Sequence, residues 1–286
     1  MFKTVFISTA LVLALAGRGC TDSNTTLATP QPTPVNSPTP AKGDFRANLP
    51  PSFVQPTDPV GQRLLKDYGA VFVARRVKVP DHVIFKDEKE VTDFQQSAGS
   101  AKVVIGGLTV ELQPAALKAL QDAITDAAKS NLKITPRESD SSKRTYQHTV
   151  TLWASRVNPG LAHWIATGKI TAAEAARIRA LSPFEQVPEI LKLEDQGLWF
   201  SRDLTKSIVY SVAPPGTSQH LLMLALDVAQ FEDARVREIL ARHGWFQTVT
   251  SDLPHFTYLG VSEDDLPKLG LKKVTNANRD FWILDI

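Results

Sequence analysis

The sequence predicts an α+β fold in a single compact domain that occupies residues 54–286. Helical and strand-like segments follow one another without the regular strand–helix order of a doubly wound sheet. The chain has 286 residues and is 43% hydrophobic, which suffices for the core of one large domain. Its 32 basic and 30 acidic residues nearly balance, so the chain lacks the excess positive charge that nucleic-acid binding requires.

The first 20 residues predict a signal peptide for export. Lys3 supplies the positive charge, and the apolar run 4–17 is too short to span a bilayer. Cys20 follows this run and is the one cysteine of the chain, so no internal disulfide can form. A cysteine at this place predicts a lipoprotein attached to the membrane through Cys20. Arg18 departs from the usual small residues before such a cysteine, and ordinary cleavage near Cys20 is the alternative. Either outcome places the protein in the periplasm or cell envelope.

Residues 21–53 predict a disordered tether. They are rich in Thr, Pro, Ser and Asn and contain few large apolar side chains. We therefore expect residues before about Pro50 to add nothing to the core, and the folded domain to begin near Val54.

Five elements are predicted in the first part of the domain. Residues 60–74 have the pattern of a short helix that ends near Gly69 and is followed by a strand. Residues 103–112 alternate around two glycines, as a β-hairpin does. Residues 113–130 carry apolar side chains at helical spacing behind an early proline, and 132–137 is predicted to be a strand.

The second part of the domain predicts three helices and two strands. Residues 144–157 form a helical pattern that we expect to end before the Asn-Pro-Gly sequence that follows. Clear helical patterns cover 171–181 and 232–245. Residues 245–250 and 255–261 predict strands on either side of an Asp-Leu-Pro turn.

A carboxylate stands where the surrounding sequence is apolar. Asp227 ends a run of Leu, Met and Ala, and a buried carboxylate needs a partner that offsets its loss of hydration. His220 precedes it by seven positions, and His255 supplies a second imidazole. Two imidazoles and one carboxylate are a typical ligand set for catalytic Zn²⁺. The spacing leaves an alternative open, since residues seven apart on a straight strand are ~23 Å apart. In that alternative the histidine is hydrogen-bonded in the core, and the aspartate caps an element or stabilises a turn elsewhere.

Three segments, residues 141–146, 214–228 and 252–260, contain motifs that resemble those of zinc D-Ala-D-Ala carboxypeptidases of the VanY type. The segment PPGTSQHLLMLALDV, residues 214–228, resembles the family signature PG-T-S-x-H followed by Asp. DLPHFTYLG, residues 252–260, resembles the family segment E-P-W-H-x-R-Y-V-G, and SSKRTY, residues 141–146, resembles S-G-Y-R-S-Y. The segments occur in the family's order and span less than half of the chain.

The resemblance implies a zinc site and a set of residues around it. His220, Asp227 and His255 match the metal ligands. Arg144 matches the arginine that binds a substrate carboxylate or polarises the substrate carbonyl, and Ser218 matches the substrate-binding position beside the first ligand. The implied architecture is a small mixed or antiparallel sheet that carries the zinc, with helices packed around it.

The chain departs from the family pattern at several positions. Asp252 stands in the place of the catalytic glutamate and is one methylene shorter. Met223 replaces a glycine, so we expect the bend beside the first ligand to be made differently. Pro254 replaces a tryptophan and Lys143 a tyrosine. The long segment 168–212 is expected to build a different substrate wall.

The implied function is zinc-dependent hydrolysis of D-Ala-D-Ala or related D-amino-acid bonds in peptidoglycan stem peptides, with Asp252 as the catalytic base. The departures leave an alternative, a catalytically weak or inactive cell-wall peptide-binding module of the same fold. A structural anchor lipoprotein is a third possibility that requires no metal ligands. Arg137 competes with Arg144 for the substrate carboxylate, and His148, one helical turn after Arg144, is a further candidate for the site.

Overall fold

Seven α-helices and seven strands lie within residues 42–286, the part of the chain that the computed structural model describes. The predicted signal peptide, Cys20 and residues 21–41 of the predicted tether lie outside it. The helices are α1 Pro59–Tyr68, α2 Glu88–Ala98, α3 Pro114–Lys129, α4 Tyr146–Ala166, α5 Ala172–Ala180, α6 Pro183–Glu194 and α7 Ala234–Arg242. The strands are β1 Ala101–Ile105, β2 Leu108–Leu112, β3 Ala225–Asp227, β4 Trp245–Phe246, β5 His255–Tyr258, β6 Leu271–Asn276 and β7 Arg279–Leu284.

The strands form three small antiparallel sheets, which makes the fold α+β as predicted. Strands β1 and β2 form one hairpin, and β6 and β7 form another. The third sheet has the order β3-β5-β4, and both of its pairings are antiparallel. All residues of β3, β4 and β5 are buried, so this short sheet lies inside the domain.

The folded domain includes residues before Pro50, which corrects the predicted end of the tether. Phe45 is 0% exposed. The N–H of Gly43 donates to the carbonyl of Pro267 at 2.8 Å, and a Cβ added to Gly270 would lie 2.1 Å from the nitrogen of Phe45. Burying one phenylalanine stabilises a fold by about 1.5–3 kcal/mol, and this adds to the backbone hydrogen bond of Gly43 in holding the segment against the domain. The average composition of residues 21–53 does not reveal that a few apolar side chains near its end pack against the core.

Two predicted strands are wrong. The residues after α1 form a 3₁₀ helix, Gly69–Val73, in which every residue is buried. A run that is buried on all sides has no hydrophobic period to distinguish a strand from a helix. Within 132–137 the structure has an isolated bridge between Pro136 and Val228. Proline has no N–H to donate, so a regular ladder cannot continue through this position.

Helix α4 continues through Pro159 instead of ending before Asn158. Its buried residues include Trp153, Val157 and Leu161, which recur every four residues along one face. Gly160 permits close packing here, since a Cβ would lie 2.4 Å from Cδ1 of Phe200. Burial of this face outweighs the hydrogen bond that proline removes, a cost of about 3 kcal/mol.

The remaining predicted elements are confirmed. The hairpin corresponds to β1–β2, the four other helical patterns to α1, α3, α5 and α7, and the strands flanking the Asp-Leu-Pro turn to β4 and β5. Across residues 42–286, the structure contains no helix with the length and apolar character needed to cross a membrane.

Candidate metal centre

The short sheet places Asp227 and His255 directly opposite each other on paired strands. Asp227 is the last residue of β3 and pairs in register with His255, the first residue of β5. Opposite residues of an antiparallel pair have Cβ atoms about 5 Å apart, so their side chains can share one ligand. Pairing across the sheet therefore brings together two residues that are far apart in sequence.

A bend in the backbone brings His220 to the same point. His220 lies in a 3₁₀ turn, Gln219–Leu222, which is followed by Met223 with φ +56° and ψ +35°. This left-handed conformation normally favours glycine and costs other residues about 1–2 kcal/mol. Because Met223 stands where the resembling motif has a glycine, the sequence predicted that another residue or geometry would form the bend. In the structure Met223 itself adopts the left-handed conformation and forms the bend. The chain then reverses into β3 towards Asp227.

The three side chains present one atom each to a common point. His220 Nε2 lies 3.2 Å from His255 Nδ1 and 3.3 Å from Asp227 Oδ1. His255 Nδ1 lies 3.2 Å from the same Asp227 oxygen. Ligands at about 2.0 Å from a tetrahedral zinc ion are about 3.3 Å from one another. The triangle thus has the dimensions of one face of a zinc coordination tetrahedron.

Hydrogen bonds on the far side of each imidazole determine which nitrogen carries the proton. His220 Nδ1 lies 2.7 Å from the carbonyl oxygen of Ser142, which can only accept, so Nδ1 is protonated. His255 Nε2 lies 2.9 Å from Gln219 Oε1. The orientation of that amide is fixed because Gln219 Nε2 donates to the carbonyl of Tyr68 at 2.8 Å. His255 Nε2 is therefore the donor, and Nδ1 has a free lone pair.

Three electron pairs consequently meet at the centre of the triangle, two from imidazole nitrogens and one from a carboxylate oxygen. Burial lowers the pKa of His220 below its usual 6.5, which keeps the ring neutral although Asp227 acts in the opposite direction. Three lone pairs in contact repel one another unless a cation lies between them. Nitrogen and oxygen donors at this spacing fit Zn²⁺.

Arg144 contacts the metal-ligand candidate Asp227. Its Nη2 donates to Asp227 Oδ2 at 2.8 Å, and its Nε donates to the carbonyl of Asp140 at 2.9 Å. Its backbone N–H donates to the carbonyl of His220 at 3.3 Å. The guanidinium thus holds one oxygen of Asp227 and leaves the other, Oδ1, directed at the imidazoles. Sequence reasoning placed Arg144 at the site but missed this contact.

A cavity of about 430 Å³ opens beside the three ligand candidates. Ser218 and Asp252 line it, together with Arg144. The Asp252 side chain is half-buried in the wall near Tyr68. Burial raises the pKa of Tyr68, and the carboxylates of Asp67 and Asp252 raise it further.

Sequence reasoning missed several residues that build the centre. Gln219 fixes the proton on His255, and Ser142 does so for His220 through its carbonyl. The carbonyl of Ser141 accepts from the N–H of Asp227 at 2.9 Å, so the SSKRTY segment supports two ligand candidates by backbone bonds. Polar residues beside the ligands in sequence could have indicated Gln219. Nothing in the sequence indicates which carbonyls are used.

Other candidates from the sequence lie near the cavity. Arg137 lines it, and its Nε lies 3.7 Å from the Glu138 carboxylate. His148 Nε2 lies 3.2 Å from the carboxylate of Asp140, which itself lines the cavity. The end of the segment 168–212 also reaches the cavity, through residues 209–212.

The chain shows only a distant similarity to known proteins. No protein-family model matches the chain, and no curated protein matches it significantly. A solved structure that resembles it is the zinc complex of a mutant vancomycin-resistance D,D-pentapeptidase, VanY, from a VanB-type resistance cassette. The two share 18% identity over 57% of this chain and 79% of the other, with a TM-score of 0.32. Similarity at this level is too low to support an inference about function.

Proposed function

We propose that this protein is a zinc-dependent carboxypeptidase that hydrolyses D-Ala-D-Ala or related D-amino-acid bonds in peptidoglycan stem peptides. The observation that supports this most is the meeting of three lone pairs at tetrahedral spacing beside a cavity. The motifs that carry the resemblance to VanY-type peptidases supply these same residues. The proposal also places the protein in the periplasm or cell envelope, as the N-terminal sequence predicts, with lipidation of Cys20 as the means of membrane attachment.

The metal would be held by His220 Nε2, His255 Nδ1 and Asp227 Oδ1. When bound, zinc supplies Lewis-acid chemistry that polarises a scissile carbonyl and makes water acidic near neutral pH. The protein's own part is to hold each imidazole with one nitrogen lone pair facing the metal and to orient the carboxylate. Ser142, Gln219 and Arg144 do this through the contacts described above.

Asp252 is the proposed proton acceptor and donor. Its carboxylate lines the same cavity as the three ligand candidates and is half-buried, so it can take a proton from water and pass it to the leaving amine. The turn that carries it leads directly into His255, and the N–H of His255 donates to the Asp252 carbonyl at 3.3 Å. Asp252 is therefore tied to the element that carries a ligand candidate.

Arg144 and Ser218 are the proposed substrate contacts in the cavity wall. Nη2 and Nε of Arg144 are engaged with Asp227 and Asp140, which leaves the other N–H groups to polarise a substrate carbonyl. Ser218 precedes the turn that carries His220 and adds a hydroxyl to the cavity wall. Charged and polar walls of this kind suit a peptide with free carboxylates.

The test is hydrolysis of purified muropeptides, with products analysed by mass. Asp252→Asn should keep its zinc and lose about 10²–10⁴-fold in turnover, because proton transfer by a positioned side chain contributes that much. Asp252→Glu restores the family's residue and should preserve or raise the rate. Asp264→Asn is the matched control, since that carboxylate is exposed and lies outside the cavity.

Two results would contradict the proposal. A protein that takes up no zinc has no metal centre of the kind inferred. A protein that holds zinc and binds muropeptides without cleaving any of them is the cell-wall binding module instead. Unchanged turnover in Asp252→Asn would remove Asp252 from the mechanism.

A further inference from the structure

Three arginines line the cavity beside the metal centre, and they differ in whether a carboxylate lies close to the guanidinium. Arg144 is paired with Asp227 at 2.8 Å and lies 3.6 Å from the Asp140 carboxylate. Arg137 lies 3.7 Å from Glu138. Arg156 lines the same cavity, and within residues 42–286 no carboxylate forms an ion pair with it.

Neutral groups hold Arg156 in place. Its Nε donates to the hydroxyl of Ser211 at 2.9 Å, and its Nη1 donates to the hydroxyl of Ser155 at 2.9 Å. Hydroxyl groups orient a guanidinium without neutralising it, so the positive charge remains available to a ligand. A planar guanidinium with free N–H donors matches a carboxylate in geometry as well as in charge.

Arg156 lies on the face of α4 that lines the cavity. Thr149, Leu152 and Arg156 all line the cavity and are spaced three and four residues apart on α4, so they share one helix face. Ser211, which holds Arg156, comes from the end of the segment 168–212. The hydrogen bond from Arg156 to Ser211 thus connects α4 with the part of the cavity wall that the segment 168–212 forms.

We infer that Arg156 is a specificity-determining residue that binds a carboxylate of the peptide substrate. The inference rests on the proposed peptidase function and deepens it, because Arg144, the arginine matched by the resemblance, is already paired with Asp227. Two sources offer the same chemistry: the C-terminal carboxylate of the peptide, and the carboxylate of an acidic residue before the cleaved bond.

The experiment uses the zinc-loaded full chain and three synthetic peptides that end in D-Ala-D-Ala. One has an acidic residue upstream and a free C-terminus, the second has that upstream carboxylate amidated, and the third has the C-terminus amidated. Wild type should prefer the first peptide over one of the amidated forms by about 10- to 100-fold in kcat/KM, mainly through KM. The disfavoured form identifies which carboxylate is bound.

Arg156→Met should abolish that preference while zinc content stays at the wild-type level. Arg156→Lys, which keeps the charge but not the fork, should retain part of it. Arg179→Met is the matched control, because Arg179 is exposed on α5 outside the cavity, and it should behave as wild type. An Arg156→Met variant with the wild-type preference would overturn the inference.

Calorimetric binding of the same peptides separates this inference from the proposed function. If zinc-loaded wild type cleaves none of the peptides, the peptidase proposal fails, but the affinity difference between acid and amide still tests Arg156. Equal affinity of wild type for all three peptides, or no binding of any, would overturn the inference.

Discussion

Gln219 offers the sharpest test of the metal centre, because it touches the metal-ligand candidate His255 without being a ligand itself. Its Oε1 accepts from His255 Nε2, and its Nε2 donates to the carbonyl of Tyr68. Gln219→Met keeps nearly the same size and removes both polar groups. The imidazole then loses the acceptor that holds its proton on Nε2, and we expect zinc to bind about 10- to 100-fold more weakly.

The structure also sets the expected loss of stability. The hydroxyl of Thr257, which donates to Gln219, keeps a partner in Thr248 at 2.7 Å. One buried group remains without a partner, the N–H of His255, because the carbonyl of Tyr68 is also the first acceptor of the 3₁₀ helix Gly69–Val73. At about 1–3 kcal/mol for an unsatisfied buried group, the metal-free protein should lose about 1–3 kcal/mol of unfolding free energy.

Gln113 provides a matched control. It is 2% exposed, as Gln219 is, and it contacts Lys78 and Leu222 through three hydrogen bonds. Gln113→Met should therefore lower the unfolding free energy by at least as much as Gln219→Met. It should leave the Kd for zinc unchanged, because its side chain bonds to no ligand candidate.

The assay is competition for zinc against a chromogenic chelator, with denaturant unfolding of the metal-free proteins alongside. Gln219→Glu adds a second comparison: it keeps an acceptor for His255 and should hold zinc at least as tightly as wild type, even if Gln219→Met is too unstable to purify. A Gln219→Met protein with the wild-type Kd for zinc would refute the assigned role of the hydrogen bond to His255. So would a Gln219→Glu protein that binds zinc much more weakly than Gln113→Met.

Three further outcomes are expected. Phe45→Ala should lower the unfolding free energy by about 3–5 kcal/mol in denaturant titration, since the ring is fully buried; a change under 1 kcal/mol would mean that residues near Phe45 are not part of the core. Arg144→Lys should weaken zinc binding about tenfold, because an ammonium cannot bridge Asp140 and Asp227 as the guanidinium does; an unchanged Kd would speak against that role. Removing zinc with a chelator should lower the melting temperature, and zinc at 100 times its Kd should restore about 2.7 kcal/mol; equal melting with and without zinc would contradict the site.

Much of the local structure could be predicted from the sequence because it depends on neighbouring residues. The hairpin β1–β2 follows from alternation around two glycines, and α3, α5 and α7 follow from apolar side chains at helical spacing. The predictions that failed involve burial by distant parts of the chain. Helix α4 passes through Pro159 because its apolar face is covered, and Phe45 is ordered because it finds a place in the core.

For the candidate site, too, some properties follow from the sequence and others depend on contacts between distant parts of the chain. The sequence by itself determined the residue types, since an aspartate in an apolar run and two histidines in motifs that resemble a zinc peptidase already indicate a metal. Only the tertiary structure decided that the three donor atoms meet, because this depends on the register of β3 with β5 and on the left-handed bend at Met223. It also decided which nitrogens are free, and that Arg144 is paired with Asp227 while Arg156 is not paired with a carboxylate. Those properties depend on hydrogen bonds between residues far apart in the chain, which no local pattern of the sequence records.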